Sequence, residues 1–173
     1  MSDIKKIVII GGESTGKSTL CEQLANHYNT VWVPEYARAY LVQLGRPYVK
    51  EDLVEIAIGQ LSMESVLEEE ANDFLFCDTD LHVLKVWSDY KYGDCDPFID
   101  EHIGTQKHDG YIITSPDFPW IEDNLREHPE PALREYFFKR YTELVLRKGL
   151  PYCIVNGNED MRLHTSIGFV DSL

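Results

Sequence analysis

The segment VIIGGESTGKSTL, residues 8–20, constrains the fold of this chain more than any other feature. Gly11 and Gly16 bracket four residues, and Lys17 and Ser18 follow. An apolar run typical of a buried strand precedes the segment, and apolar residues at helical spacing follow it. Glycines permit positive φ angles and close backbone approach, so successive N–H groups and a helix N-terminus can face a phosphate. The segment therefore predicts a nucleotide phosphate site of the Walker A type.

Individual residues of this segment have predicted roles toward a bound ATP. We expect Lys17 to reach the β- and γ-phosphates and the Ser18 hydroxyl to bind Mg²⁺. Asp78 follows the apolar run FLFC in the Walker B position and is the predicted second metal partner. A helix-capping role for Asp78 is the alternative, because DTDL also precedes a helical pattern. The residues expected to contact the nucleotide are Gly11, Gly12, Glu13, Ser14, Thr15, Gly16, Lys17, Ser18, Thr19, Arg126 and Asn156.

Short apolar runs alternate with helical patterns along the chain. The predicted strands are KIVIIGG, TVWVPE, DFLFCD, DGYIITS and PYCIVNG. The predicted helices are KSTLCEQLANHY, a long helix over 51–70, DLHVLKVWSDYKY, PALREYFFKRYTELVLRKG and a final helix from about residue 160. This alternation is typical of an α/β fold with a parallel sheet. We predict one three-layer P-loop domain over residues 1–173, with strand order 2-3-1-4-5 and a small lid at approximately 116–135.

Composition excludes several classes of partner. The formal net charge of −14 argues against the backbone of nucleic acids and against anionic membrane surfaces, which are bound through Lys and Arg. No apolar run approaches the length of a membrane span, and no signal peptide precedes the first strand. The four cysteines form no C-x-x-C pair and are expected to be reduced. We therefore expect a cytoplasmic protein that binds a small molecule, with no nucleic-acid or membrane partner.

Polar residues after the predicted strands are candidates for catalysis, because ligands of open parallel sheets bind at the carboxyl ends of the strands. Glu35, in VPEYAR, is predicted to take or orient the proton of an acceptor hydroxyl. Arg38 is predicted to hold a phosphate or a sugar. Arg126, in the proline-interrupted lid, is predicted to close on the transferring phosphoryl group. A capping role for Glu35 and a solvated charge for Arg38 are the alternatives.

An acceptor molecule needs a pocket beside these residues. The candidates to stack on a flat ring, particularly a cationic one, are Tyr36, Trp87 and Trp120. Core packing is the alternative for each aromatic residue. The candidates to bind ribose hydroxyls or an amide are Asp80, Asp117, Asp123 and Gln60. For Asp80, a helix cap is the alternative.

Three functional interpretations are compatible with a phosphate site of this kind. A small-molecule kinase needs an acceptor base, an acceptor pocket and a lid, and VPEYAR and the 116–135 segment supply candidates for them. Another nucleoside or nucleotide kinase meets the same needs. A regulatory ATPase or GTPase has no acceptor; a GTPase also needs an N-K-x-D segment, and the nearest candidate, NGNED at Asn156, lacks the lysine.

Taken together, GGESTGKSTL, VPEYAR, IGQ at 58–60, FCDTD and DFPWIEDNLRE resemble the ribosylnicotinamide kinase domain of NadR-type proteins. The resemblance extends from about residue 7 to residue 156. It implies that ATP phosphorylates the 5′-hydroxyl of nicotinamide riboside to give nicotinamide mononucleotide. It also implies that Lys17 and Ser18 serve ATP and Mg²⁺, that Glu35 and Asp78 lie in the acceptor and metal region, and that Arg126 lies in the lid.

Longer members of that family carry an adenylyltransferase domain, and some carry a helix-turn-helix. The 173 residues contain no H-x-G-H signature of nucleotidyl transfer. Adenylyl transfer and DNA binding are therefore not expected of this sequence.

Overall fold

The computed structural model describes residues 4–173 and contains one parallel sheet. Its strands are β1 (Lys5–Gly11), β2 (Trp32–Val33), β3 (Phe74–Asp78), β4 (Gly110–Thr114) and β5 (Tyr152–Val155). Their order across the sheet is β2-β3-β1-β4-β5, as predicted. In the register, Ile9 of β1 is the Cα partner of Asp78 on one side and of Ile112 on the other. The carboxyl ends of all five strands therefore meet at one edge of the sheet.

Helices connect the strands. They are α1 (Lys17–His27), α2 (Tyr36–Leu44), α3 (Lys50–Glu68), α4 (Leu81–Tyr92), α5 (Pro97–Thr105), α6 (Pro131–Lys148) and α7 (Glu159–Val170). The sequence prediction lacks α2 and α5. Each of these helices is only nine residues long and buries a single residue fully or nearly so, Ala37 in α2 and Ile99 in α5, so its periodic signal in the sequence is short. The start of α5 does carry a signal, since Asp96 caps it through the Phe98 N–H at 2.8 Å and Pro97 takes the first helical position.

Strand β1 is buried on both faces, which explains its continuous run of apolar residues. Ile7 and Ile9 pack on one face against residues of α1 and α7. Val8 and Ile10 pack on the other face against residues of α4 and α6. The sheet thus lies between two helical layers, and the predicted three-layer fold is confirmed. Helices α2, α3, α4 and α5 enclose a further apolar cluster on the side of β2.

Two further structural features bear on the class of the protein. Within residues 4–173, no helix combines the length and the apolar character that crossing a membrane requires. The four cysteines are unpaired, and Cys21 and Cys77 are completely buried in the core.

Glu35 is held at the edge of the sheet by packing between its neighbour Tyr36 and helix α3. A Cβ atom built on Gly59 would lie only 2.1 Å from the Tyr36 ring. Gln60 completes the contact, because its side chain accepts a hydrogen bond from the Tyr36 N–H at 2.8 Å. The missing side chain at Gly59 is therefore what lets α2 begin directly after Glu35.

We expect Gly59→Ala to lower the free energy of unfolding by about 1–3 kcal/mol, because the added methyl group overpacks the Tyr36 ring. The matched control is Gly168→Ala in α7, where no heavy atom of residues 4–173 lies within 4 Å of the added Cβ atom. This control should raise stability by up to about 1 kcal/mol through helix propensity. Thermal and urea unfolding measure both variants. Equal shifts in the two would contradict the packing argument.

Candidate active site

The phosphate loop, residues 11–18, links β1 to α1 and depends on two of its glycines. Gly16 has a φ of 78°, a left-handed conformation that costs glycine little. Gly11 lies against β4, where a Cβ atom would come within 2.7 Å of the Thr114 carbonyl oxygen. The Thr15 hydroxyl braces the same contact, at 2.7 Å from the Thr114 hydroxyl. The loop is thereby fixed above the sheet, with helix α1 beginning at Lys17.

Lys17 and Ser18 begin helix α1, and each makes a hydrogen bond at the phosphate loop or at the end of β3. The Lys17 ammonium donates a hydrogen bond to the Gly12 carbonyl oxygen at 2.8 Å, so it folds back over the loop. The Ser18 hydroxyl donates to Oδ2 of Asp78, which ends strand β3. Oδ1 of Asp78 is buried and has no hydrogen-bond partner among residues 4–173. A serine hydroxyl beside a free carboxylate oxygen is a donor set that suits a hard cation such as Mg²⁺.

Glu35 lies at the same edge of the sheet, directly before helix α2. Its side chain makes no capping hydrogen bond to the residues of the described structure, which leaves its carboxylate free for another role. Burial and the negative charge of Asp78 raise the pKa of Glu35, while Lys17 opposes this shift. Burial likewise raises the pKa of Asp78. The Asp78 carboxylate is thus close enough to make Glu35 harder to ionise.

Lys17, Ser18 and Glu35 line one cavity with a volume of about 310 Å³, here called the phosphate cavity. It brings together the loop, Glu35, Arg38 and Arg126. Its lining residues are Gly11, Glu13, Ser14, Thr15, Gly16, Lys17, Ser18, Thr19, Glu35, Ala37, Arg38, Leu41, Val83, Trp87, Leu125, Arg126 and Tyr141. A phosphate donor, a hydroxyl acceptor and a carboxylate base can therefore meet in one enclosed space.

A second cavity of about 290 Å³, here called the aromatic cavity, continues from the first. Both share Glu13, Leu41, Trp87 and Leu125. The remaining lining residues are Tyr48, Tyr90, Lys91, Glu127, His128 and Phe137. The Lys91 ammonium lies 3.5 Å from the centroid of the Tyr48 ring. That ring face already attracts a cation.

The segment 116–130 contains neither helix nor strand and lies against the phosphate loop. The Glu13 carboxylate accepts hydrogen bonds from the Glu127 N–H at 3.1 Å and from the His128 N–H at 3.0 Å. The Ser14 hydroxyl accepts from the Ile121 N–H at 2.8 Å and donates to the Pro119 carbonyl oxygen at 3.1 Å. Two consecutive residues of the phosphate loop therefore hold residues 116–130 of the predicted lid against the loop, whereas residues 131–135 of that prediction belong to helix α6.

Two arginines that lie outside the phosphate cavity also bind the backbone of the phosphate loop or of the segment 116–130. Arg134 of α6 donates to the Ser14 carbonyl oxygen at 3.2 Å and to that of Phe118 at 2.8 Å. Arg162 of α7 is 3% exposed and donates to the Thr15 carbonyl oxygen at 2.8 Å. Arg162 also pairs with Asp117 and donates to the Gly157 carbonyl oxygen at 2.8 Å. It thus ties the last helix to the loop.

Several predicted substrate residues lie outside both cavities. Asp80 is 2% exposed, and its carboxylate bonds to His82 and Tyr111, so packing withdraws it from solvent. Gln60 is 3% exposed and bonds to the backbone at Pro34 and Tyr36. The structure therefore does not bring Asp80 or Gln60 to a ligand.

The other predicted residues divide between the cavity and its surroundings. Of the three predicted ring-stacking residues, only Trp87 lines the cavities. Tyr36 packs on α3, and Trp120 lies beside Arg134. Asp123 pairs with Arg38 and caps the Leu125 N–H at 2.9 Å. Asn156 and Asp117 are exposed, and Asp117 accepts from the Gly157 N–H at 2.7 Å.

Sequence reasoning missed the walls of the aromatic cavity and the buried arginine. Tyr48, Tyr90 and Phe137 come from three separate segments, so no local pattern joins them. Arg162 sits on a helix with few other distinguishing features. Arg162 lies four residues after Asn158, which caps α7, so the two residues share one face of the helix. This spacing is the one sequence signal that Arg162 faces the phosphate loop.

A glycine-rich loop between the first strand and the first helix, in a sheet of this order, defines a P-loop nucleotide-binding protein. More narrowly, the chain belongs to the AAA domain family, whose model matches residues 6–162. The trifunctional NAD biosynthesis/regulator protein NadR of Salmonella typhimurium is 29% identical over 153 residues, as is that of Escherichia coli. The match covers 86% of this chain and 37% of each NadR. The resemblance to NadR-type proteins is therefore confirmed for this region.

Solved structures agree with the fold. A crystal structure of NadR in complex with NR superposes with a TM-score of 0.85 at 23% identity, covering 98% of this chain and 51% of that one. A deoxyadenosine kinase from M. mycoides superposes with a TM-score of 0.59 at 16% identity, covering 97% of this chain and 100% of that one. At these identities the likeness establishes the fold.

We expect Glu13→Gln to loosen the lid, because an amide offers one acceptor oxygen where the carboxylate offers two charged ones. The amide hydrogens of Glu127 and His128 should then exchange faster, by about tenfold for each 1.4 kcal/mol lost. Hydrogen exchange read by NMR measures this directly. Glu22→Gln, at an exposed site on α1, is the control. Unchanged protection at both amides in Glu13→Gln would show that the carboxylate does not hold the lid.

Proposed function

We propose that this chain is an ATP-dependent small-molecule kinase that phosphorylates the 5′-hydroxyl of nicotinamide riboside to give nicotinamide mononucleotide. One observation carries the proposal. Glu35 lines the same cavity as Lys17 and Ser18, and an aromatic cavity opens from that point. A nucleotide switch needs the phosphate loop but has no use for a carboxylate and an acceptor pocket beside it.

ATP would lie along the phosphate loop with its γ-phosphate beside Glu35. The loop N–H groups, the N-terminus of α1 and Lys17 would balance the phosphate charge. A groove lined by Asp117, Phe118, Pro119 and residues 157–160 adjoins the lid and has room for the adenine base. Arg126, which lines the phosphate cavity, would add positive charge from the lid side.

Mg²⁺ fits the pair formed by Ser18 and Asp78. The buried Oδ1 of Asp78 lacks a protein partner among residues 4–173, and the Ser18 hydroxyl stands beside Oδ2 of the same carboxylate. When bound, Mg²⁺ would neutralise charge on the phosphates and on Asp78. Glu35 would then face less negative charge and ionise more readily, as a base requires.

Transfer is proposed to occur in line, with little covalent chemistry by the protein. Glu35 would orient the acceptor hydroxyl and accept its proton. Arg38 would contact the phosphate or the ribose, since it also lines the phosphate cavity. The closed lid would exclude water, which would otherwise compete as acceptor.

The aromatic cavity suits a flat, positively charged ring. Trp87 and Tyr48 lie with their ring centroids 6.4 Å apart, and the Tyr48 face already holds the Lys91 ammonium. A pyridinium ring is a cation of similar charge and could take that face in its place. The Glu127 carboxylate, 3.3 Å from the Tyr48 hydroxyl, adds negative charge at the same wall.

The curated relatives support this choice of substrate. They are named as NAD biosynthesis proteins, and a NadR structure to which this chain is similar was solved in complex with NR. This chain spans 37% of the length of those relatives, and their other activities are not proposed for it. We place the reaction in the cytoplasm, in keeping with the unpaired cysteines.

Another nucleoside kinase activity is the second candidate. It is favoured by the structural likeness to deoxyadenosine kinase, whose chain the match covers completely. The two readings differ in which acceptor fills the aromatic cavity.

ADP formation with MgATP, measured with and without nicotinamide riboside and a panel of nucleosides, tests the proposal. We expect ADP only with nicotinamide riboside, and the mononucleotide as product. Lys17→Ala is the control and should abolish turnover with the fold intact, because the phosphate charge loses its main partner. ADP formation at the same rate whatever is added would favour the acceptor-free ATPase. Turnover with a different nucleoside alone would favour the second candidate.

We expect Glu35→Gln to lower kcat by about 100-fold or more, since a base contributes 10²–10⁴-fold, while the Kd for ATP changes by less than about twofold. The amide keeps the size of the side chain but cannot accept the proton. Glu55→Gln, exposed on α3, is the matched control and should retain full turnover. Steady-state kinetics and calorimetric ATP titration give the two readouts. Parallel losses in turnover and in ATP binding would move the base to another residue.

A further inference from the structure

Thr79 stands between two carboxylates in an unusual backbone conformation. Its φ is 72°, in the left-handed region that β-branched residues rarely adopt. Asp78 before it contacts Ser18 of α1, and Asp80 after it contacts Tyr111 of β4. The left-handed conformation of Thr79 therefore lets Asp78 and Asp80, only two residues apart, contact different parts of the fold. Such a conformation persists only where the surrounding structure holds it.

Asp80 is the anchor that follows this turn. Its Oδ1 accepts a hydrogen bond from the His82 N–H at 2.9 Å, and its Oδ2 lies 2.8 Å from His82 Nδ1. The Tyr111 hydroxyl donates to the same Oδ2 at 2.8 Å. All three residues are at most 3% exposed. Burial opposes ionisation, but the neighbouring His82 and these hydrogen bonds hold the pKa of Asp80 well below its usual range.

The turn is fixed on its other side by the sheet. The Thr79 N–H donates to the Ile9 carbonyl oxygen at 3.0 Å, so the ladder between β1 and β3 extends one residue beyond Asp78. With the peptide before Thr79 held by β1 and the residue after it held by Tyr111, the φ angle of Thr79 has little freedom. The direction of Asp78 is set by the same peptide.

We propose that the Tyr111–Asp80 hydrogen bond is a positioning device that keeps Thr79 left-handed and so directs Oδ1 of Asp78 toward the cation of bound MgATP. Tyr111 and Asp80 touch neither nucleotide nor acceptor in this scheme; they act through Thr79. The inference rests on the proposed function, because it assumes that MgATP binds at Ser18 and Asp78. It also gives Asp80 a role different from the substrate contact that its place in the sequence suggests.

Without the anchor, Thr79 is expected to relax to a negative φ, which any residue other than glycine prefers. That rotation turns the peptide joining Asp78 to Thr79, breaks the hydrogen bond from the Thr79 N–H to the Ile9 carbonyl oxygen, and withdraws the Asp78 carboxylate from Ser18. Glycine at position 79 takes a left-handed φ at little cost and does not need the anchor. The scheme therefore predicts a rescue that a merely structural role would not produce.

The test is the ratio of ATP affinities measured by calorimetry with Mg²⁺ and with EDTA. Tyr111→Phe should lower this ratio by about tenfold or more, as loss of outer contacts does at metal sites, while ATP affinity in EDTA stays within about twofold. Adding Thr79→Gly to Tyr111→Phe should restore the ratio. Tyr28→Phe is the matched control, because it removes a tyrosine hydrogen bond to Asp171 of 2.7 Å on the far side of α1. Its ratio should equal that of the unmodified protein.

A normal ratio in Tyr111→Phe, or a double variant as low as the single one, would overturn the positioning role. Should Tyr111→Phe fail to fold, Asp80→Asn with and without Thr79→Gly provides the same comparison. The unmodified protein separates the two levels of proposal. If Mg²⁺ does not strengthen its ATP binding, the proposed metal site fails, whereas a normal Mg²⁺ effect that Tyr111→Phe leaves unchanged removes the positioning role alone.

Discussion

The contact between the Ser18 hydroxyl and the Asp78 carboxylate is the interaction on which the rest of this site depends. It joins the first turn of α1 to the end of β3 and thereby sets the phosphate loop against the neighbouring strand. The parallel sheet brings the other residues of the site to this contact. Because the strands end at one edge, Glu35 reaches the same place from β2. A serine, two carboxylates and a lysine are thus gathered by topology, from segments far apart in the sequence.

The phosphate cavity is lined by basic side chains although the chain as a whole is acidic. The net charge is −14, yet the phosphate cavity is lined by Lys17, Arg38 and Arg126. Burial raises the pKa of both Glu35 and Asp78, which means that ionising them together costs free energy. In the function proposed above, a divalent cation would relieve that cost and the phosphates would pair with the three basic side chains. Nucleotide and metal would then stabilise each other's binding.

Sequence reasoning found the parts of this protein that local chemistry determines. The loop from Gly11 to Ser18, the sheet order and Asp78 after β3 each follow from a motif or a period that a few adjacent residues carry. The orientation of an isolated polar residue does not follow from its neighbours in the sequence. Gln60 and Asp80 look like ligand contacts in the sequence, and the packing of α3 and β4 turns both into internal hydrogen-bond partners.

The aromatic residues show the same limit. Of Tyr36, Trp87 and Trp120, only Trp87 faces the cavities, while Tyr48 and Phe137 were not anticipated. The difference arises from α2, which is only nine residues long and therefore gives a short periodic signal in the sequence. It carries Tyr36 onto Gly59 and leaves Tyr48, just beyond its end, to line the aromatic cavity.

The lid and the phosphate loop are linked through side chains that belong to the loop itself. Glu13 holds two backbone N–H groups of the lid and also lines both cavities. Ser14 holds the lid at a second point. Leu125, Glu127 and His128 of the same segment form one wall of the aromatic cavity. In the function proposed above, an acceptor bound in that cavity would therefore contact the segment that Glu13 and Ser14 fasten to the phosphate loop. Such a contact would couple the geometry of the phosphate donor to the presence of the acceptor hydroxyl, which is how a kinase avoids transferring phosphate to water.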